Sequence, residues 1–195
     1  MICSAVIVTR GNVDLGPIIQ DIVPHVDELI IRIGHGGVLE RWEGVLSAKH
    51  DHVYVQDDDA IVEVMGLLAA HVRRGGGFNT DPFITCNMPE WKRPEYQDGT
   101  ALVGWGALVP KQVALDALIR YRIHYDMDEL FKRECDRVIT GLSPLHLVDV
   151  PFSHAPWADG PGRMCQKPGD PNHAAARKLI RDRIEVVRKG VRATA

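Results

Sequence analysis

Three consecutive carboxylates, Asp57, Asp58 and Asp59, follow directly on the strand-forming run Val53-Tyr54-Val55-Gln56. At about 5 Å and an effective dielectric near 20, each adjacent pair repels by roughly 3 kcal/mol. The triplet therefore needs positive charge beside it. A hard divalent cation such as Mg²⁺ or Mn²⁺ meets that need, because carboxylate oxygens suit it and it keeps positions open for a phosphate-bearing substrate. A solvated Asx turn is the alternative that the residues alone leave open. Gly104-Trp105-Gly106 is a second candidate. Its glycines let a ligand approach the backbone, and Trp105 offers a flat apolar face to a sugar ring, with core packing of the indole as the alternative. Asp126, Asp128 and Glu129 stand where a helix should begin. Such a carboxylate could serve as a general base facing a hydroxyl, although capping and the helix dipole favour the same residues there.

These residues need a frame, and the apolar pattern supplies one. Ser4 to Val8 is a continuous apolar run of the kind buried on both faces of a parallel sheet. After the polar Thr9-Arg10-Gly11-Asn12, a helix capped by Asp14, with Pro17 in its first turn, carries Ile18, Ile19, Ile22 and Val23 and stops at Pro24. Glu28 to Ile33 is a second strand, Leu39 to Ala48 a helix burying Leu39, Trp42, Val45 and Leu46, and the run before the triplet a third strand. Strand and helix thus alternate through the first 60 residues, as in a three-layer, mainly parallel α/β sheet. The carboxylates fall at a strand's carboxyl end, where such sheets bind ligands.

The remainder reads as a helix over Ile61 to Arg74 ended by three glycines, a strand over Pro82 to Cys86, and an irregular stretch from Met88 to Asp98. Ala101 to Val109 regains strand character around its two glycines. Helices follow from Pro110 to about Tyr125 and from Asp128 to Arg137, then a strand over His146 to Val150. Pro151 to His173 is too rich in proline and glycine for regular structure and suits a substrate-facing flap, and Ala174 to Lys189 closes as a helix.

At 195 residues, 45% hydrophobic and 25% charged, the chain fits one folded domain. It reads as three segments, 1–100, 101–173 with an irregular flap, and a basic terminal helix over 174–195. A net charge of −3 gives no global drive toward nucleic acid, although Arg177 to Arg192 is locally basic. Cys3, Cys86, Cys135 and Cys165 are scattered without a C-x-x-C pair, which suits reduced thiols in a cytoplasmic protein. There is no basic leader before a long apolar core and no apolar run long enough to span a bilayer.

The ordered series AVIVTRG, ELIIRIG, VYVQDDDA and GWGALVP, followed by an acidic helix start and a histidine-containing C-terminal loop, resembles the GT-A glycosyltransferases that use nucleotide-sugar donors. The resemblance covers most of the chain and is similar to small phage and bacterial members. It implies a Rossmann-like GT-A fold in which Asp57 and Asp59 form an Asp-x-Asp element. Asp59 would be the direct ligand of Mn²⁺ or Mg²⁺, with Asp57 or Asp58 reaching the ribose or the metal through water. It further implies a C-terminal histidine ligand, for which His154 and His173 are the candidates, and places Thr9, Arg10 and Asn12 toward the nucleotide. Arg163 and Lys167 would clamp the diphosphate, Gly104, Trp105 and Gly106 would meet the donor sugar and acceptor, and Trp157 would cover the sugar. The family's acidic motif sits at a helix start, which puts Asp128 first as catalytic base, Asp126 second and Asp136 third. A retaining enzyme would need no such base.

The expected reaction is transfer of a sugar, with a UDP-sugar favoured, to an acceptor hydroxyl. Some phage-type members glycosylate hydroxymethylated bases in DNA, which makes DNA one acceptor to consider. A nucleotidyltransferase or sugar-nucleotide pyrophosphorylase shares the sheet and metal chemistry, but TRGNVDLG is poor in lysine for its nucleotide loop. A non-enzymatic nucleic-acid-binding module would draw on the basic tail.

Overall fold

The computed structural model describes residues 3–34, 38–75, 82–96, 98–157 and 171–192, the last without the side chains of 171–173 and 191–192. Ser4–Thr9 (β1) is buried at every position, as its unbroken apolar run requires. Gly16–Ile22 (α1) carries Ile18 and Ile22 inward, and Asp14 accepts a hydrogen bond from the Gly16 N–H at 2.8 Å. Glu28–Ile33 (β2) and His52–Asp57 (β3) both pair in parallel with β1, on its opposite sides. Between them Leu39–Ser47 (α2) buries Arg41, Trp42, Gly44 and Val45. Leu46, expected inside, is exposed, and Arg41 takes the place in the core stripe.

Because β2 and β3 flank β1, the chain leaves β1 in one direction and comes back to it from the other. The carboxyl ends of β1 and β3 therefore bound the crevice at which the winding of the sheet reverses. The full order is β2-β1-β3-β6-β5-β7, with Ile84–Asn87 (β5), Ala107–Pro110 (β6) and Leu145–Val148 (β7) completing it. Only β6 runs against its neighbours, so the sheet is mixed but mainly parallel.

One face of the sheet carries α2, Lys111–Arg122 (α4), Glu129–Gly141 (α5) and Pro171–Arg192 (α6) over a core that includes Trp42, Tyr121, Phe131 and Ile184. The other carries α1 and Val64–Gly75 (α3), over Ile7, Tyr54, Leu67 and Leu108. Two short strands, Ala60–Val62 (β4) and Phe152–His154 (β8), pair antiparallel outside the main sheet.

Several boundaries differ from the sequence reading. Ile61 and Val62, expected to open a helix, lie instead in β4, since β8 offers a partner that local periodicity cannot reveal. The strand expected over Ala101 to Val109 shrinks to β6, because Gly106 turns the chain at φ +95°. The span expected to be irregular contains β8, and the final helix begins at Pro171. No helix among the described residues is long and apolar enough to cross a membrane.

Candidate functional site

The triplet leaves β3 into the crevice, and each aspartate meets a different environment. Asp57 faces Arg41 from α2, whose other side faces Asp136 from α5. Asp136 also accepts from the Trp42 indole N–H at 2.8 Å. Arg41 is buried to 2% exposure. Burial works against its charge, but the two carboxylates more than offset this and hold it ionised. Burial pushes the Asp136 carboxyl up while Arg41 pulls it back. The other Asp57 oxygen lies against Gly104, where a Cβ would stand 2.0 Å from it, and the Asp57 N–H donates to the Gly104 carbonyl at 2.9 Å. Gly104 is thus glycine because the carboxylate occupies the side-chain space. Gly106 answers instead to its positive φ.

Asp58 turns inward. It is 5% exposed and accepts from the Thr9 hydroxyl at 2.9 Å and from the Arg10 backbone N–H at 2.8 Å, with the Arg10 guanidinium at 3.5 Å. The backbone register makes this meeting unavoidable, since Val8 lies opposite Asp57. The Trp157 indole donates to the Asp58 carbonyl at 2.6 Å, and its own carbonyl receives Arg10 at 3.4 Å. Thr9, Arg10, Asp58 and Trp157 therefore form one closed knot. Thr9, Arg10 and Asp58, expected toward a nucleotide, here use these polar atoms to tie the first-strand loop to the triplet. Trp157 likewise anchors the chain through its indole N–H. Asn12 is exposed beyond the knot.

Asp59 completes the turn into β4. Its carbonyl accepts the Ala155 N–H at 2.9 Å, and Ala60 stands opposite His154 in the β4–β8 register. This brings His154 beside the triplet, exposed. Its ring meets Trp105 edge-on at 5.4 Å, while Trp105 stacks on Phe152 at 4.8 Å and tilts against the exposed Trp91 at 5.8 Å. An aromatic shelf thus borders the carboxylates. His173 opens α6 with its side chain outside those described, and Arg163 and Lys167 lie outside the described residues altogether.

No group of three or more His, Cys, Asp or Glu able to hold a metal ion occurs among the described residues. The donor chemistry at Asp59 and His154 still fits Mg²⁺ or Mn²⁺. Such ions take one or two protein ligands and complete their shell with water and substrate phosphates.

The acidic helix start is built differently. Asp128 caps α5, accepting the Phe131 N–H at 2.9 Å, and pairs with Arg183 of α6 at 2.8 Å. The Arg183 hydrogen bond holds its carboxyl below the usual range. It lies about 12 Å along α5 from Asp136, at 1.5 Å per residue. Asp126 is exposed before the cap. The structure brings neither to the triplet, and Asp136, which it does bring there, stands behind Arg41. The thiols of Cys3, Cys86 and Cys135 are free and buried, and burial raises the Cys3 pKa to about 11. Protonated thiols of this kind are inert. Cys165 lies outside the described residues.

Five co-directional strands with one reversed, flanked by helices on both faces, make a mixed, mainly parallel sheet of the GT-A glycosyltransferase fold. Among solved structures the chain is similar to glucosyl-3-phosphoglycerate synthase from Mycobacterium tuberculosis in complex with Mg²⁺ and uridine diphosphate. The match has a TM-score of 0.50 at 14% identity and covers 92% of this chain and 76% of that one. No protein-family model matches the sequence, and no curated protein sequence is significantly similar to it.

Proposed function

We propose that the chain is a metal-dependent glycosyltransferase moving a sugar from a nucleotide-sugar, with a UDP-sugar favoured, to an acceptor hydroxyl. The observation that carries this reading is the placement of Asp59 and His154 together at the carboxyl end of β3. The similar synthase, seen with Mg²⁺ and uridine diphosphate, adds support.

Asp59 and His154 would hold Mn²⁺ or Mg²⁺, with Asp57 contributing through water. When bound, the ion supplies Lewis-acid stabilisation of the charge that grows on a departing diphosphate. Arg41 fixes the Asp57 carboxylate so that it need not reorganise. The shelf of Trp105, Phe152 and Trp91 gives a sugar or base an apolar surface. The knot through Asp58 holds the first-strand loop against the triplet. No base is assigned, since Asp128 is committed to Arg183 and Asp136 to Arg41. The basic terminal helix gives a DNA acceptor little help from Arg183 and Arg188, which face inward to Asp128 and to the Gly141 carbonyl. Hydroxymethylated DNA bases are one class in an acceptor screen that also includes small alcohols.

The test is hydrolysis of UDP- and GDP-sugars with and without Mn²⁺ or Mg²⁺, on wild type and Asp59→Ala. Metal-dependent hydrolysis, lowered about 100-fold or more by the substitution, is expected. Equal rates in the two proteins would sink the reading.

A further inference from the structure

The strand farthest from β2 borders a groove whose charge the transfer reading leaves unused. An open groove of about 670 Å³ runs between α3 and β7, and its lining includes Arg73, Arg74, Arg93, His146 and Asp149. The arginines come from two separate elements, the last turn of α3 and the short 3-10 turn Glu90–Tyr96. In a protein of net charge −3, three guanidiniums along one groove are a local concentration of positive charge. Among the described residues, none of the three forms an ion pair with a carboxylate. The carboxylate in the lining, Asp149, accepts the Glu90 backbone N–H at 3.3 Å.

Two of the cations are held in place. The Arg74 guanidinium lies 3.8 Å from the centre of the Phe83 ring, and Arg93 Nε donates to the Met88 carbonyl at 3.0 Å. These contacts use the flat face of one guanidinium and the inner nitrogen of the other. Among the described residues, nothing takes up the terminal N–H groups of Arg74 and Arg93, which grip phosphate oxygens in pairs. Side chains held this way lose little freedom on binding. The groove is open to solvent and wider than a lone phosphate ion needs. Three cations against one carboxylate favour a doubly charged phosphate over a single carboxylate ligand.

We propose that this groove binds a phosphorylated small molecule, its phosphate groups met by Arg73, Arg74 and Arg93. The site is separate from the triplet, because β7 stands three strands from β3, roughly 14 Å at the usual strand spacing. It does not depend on the transfer reading.

Inorganic pyrophosphate serves as the probe, titrated calorimetrically in EDTA so that no metal supports binding at the triplet. Wild type should bind saturably, and added salt should weaken the affinity. Arg74→Gln/Arg93→Gln should weaken it by about tenfold or more, the loss of two charge-assisted contacts. Asp59→Ala should bind like wild type. Arg74→Lys/Arg93→Lys retains the charge and should bind between the two. Thermal melting of each variant shows that it is folded. No pyrophosphate binding by wild type, equal binding by the glutamine variant, or loss in Asp59→Ala alone would each overturn the proposal. So would DNA binding abolished by the glutamine substitutions in a protein that ignores pyrophosphate, because the groove would then serve a nucleic-acid backbone.

Discussion

Asp57-Asp58-Asp59 and Asp126-x-Asp128-Glu129 look alike in the sequence: each is an acidic cluster at the end of one element and the start of another. In the structure they are opposites. The first lies over a buried arginine, with one carboxylate spent on Arg41, one on the first-strand loop, and the third placed beside a histidine. The second lies at the surface, where Asp128 caps a helix and meets an arginine of the neighbouring helix. The lesson concerns the countercharge. An arginine sealed between two carboxylates holds a site in shape, whereas an arginine at the rim fastens one helix to another.

Removing Arg41 should break this contrast most severely. Arg41→Met leaves Asp57 and Asp136 facing each other without their cation, and a loss of about 3–5 kcal/mol in urea unfolding is expected. Adding Asp136→Leu should recover part of it, and a loss below about 1 kcal/mol in the single variant would show that the arginine is dispensable. Gly104→Ala comes next. Its methyl group would enter the space of the Asp57 carboxylate, costing about 1–3 kcal/mol and weakening nucleotide-sugar binding in a titration with metal present. Asp128→Ala should have the smallest effect, about 1 kcal/mol for a lost cap, with sugar-nucleotide turnover unchanged. A variant as stable as wild type but inactive would restore Asp128 as the base.

The same residue sets a pH dependence. Its folded pKa is depressed by Arg183, so the stability it contributes is complete above the unfolded aspartate value near 4 and fades as pH falls through the folded one. Urea midpoints followed from pH 5 downward should decline more steeply in wild type than in Asp128→Ala.

The parallel half of the sheet could be read because its signals are local. The runs at 4–8, 28–33 and 53–56 are apolar, short and separated by helical periods, and the triplet's place at a strand end follows from them. The need for positive charge at the triplet was equally legible, but not its source. Arg41 reads as a solvent-facing helix residue until one sees that Arg41, Gly44 and Val45 share a stripe, the signal that could have exposed it. The Asp58 knot was hidden because it depends on the register between β1 and β3, which no single strand encodes. Strands β4 and β8 are three residues each and acquire strand character only from one another. The pairing of Asp128 with Arg183 is invisible for the same reason, since its partners lie on separate helices.

The pairing of Ala60 with His154 spans nearly half the chain. During synthesis the parallel strands β1, β2 and β3 leave the ribosome early and can assemble through nearby contacts, while a pairing this distant forms late. The wall that carries His154, and the indole that locks Asp58, come into place only after residue 157 has been made. A nascent chain would thus hold its sheet before its crevice, and a protein cut short before that point would keep the acidic triplet without the histidine beside it.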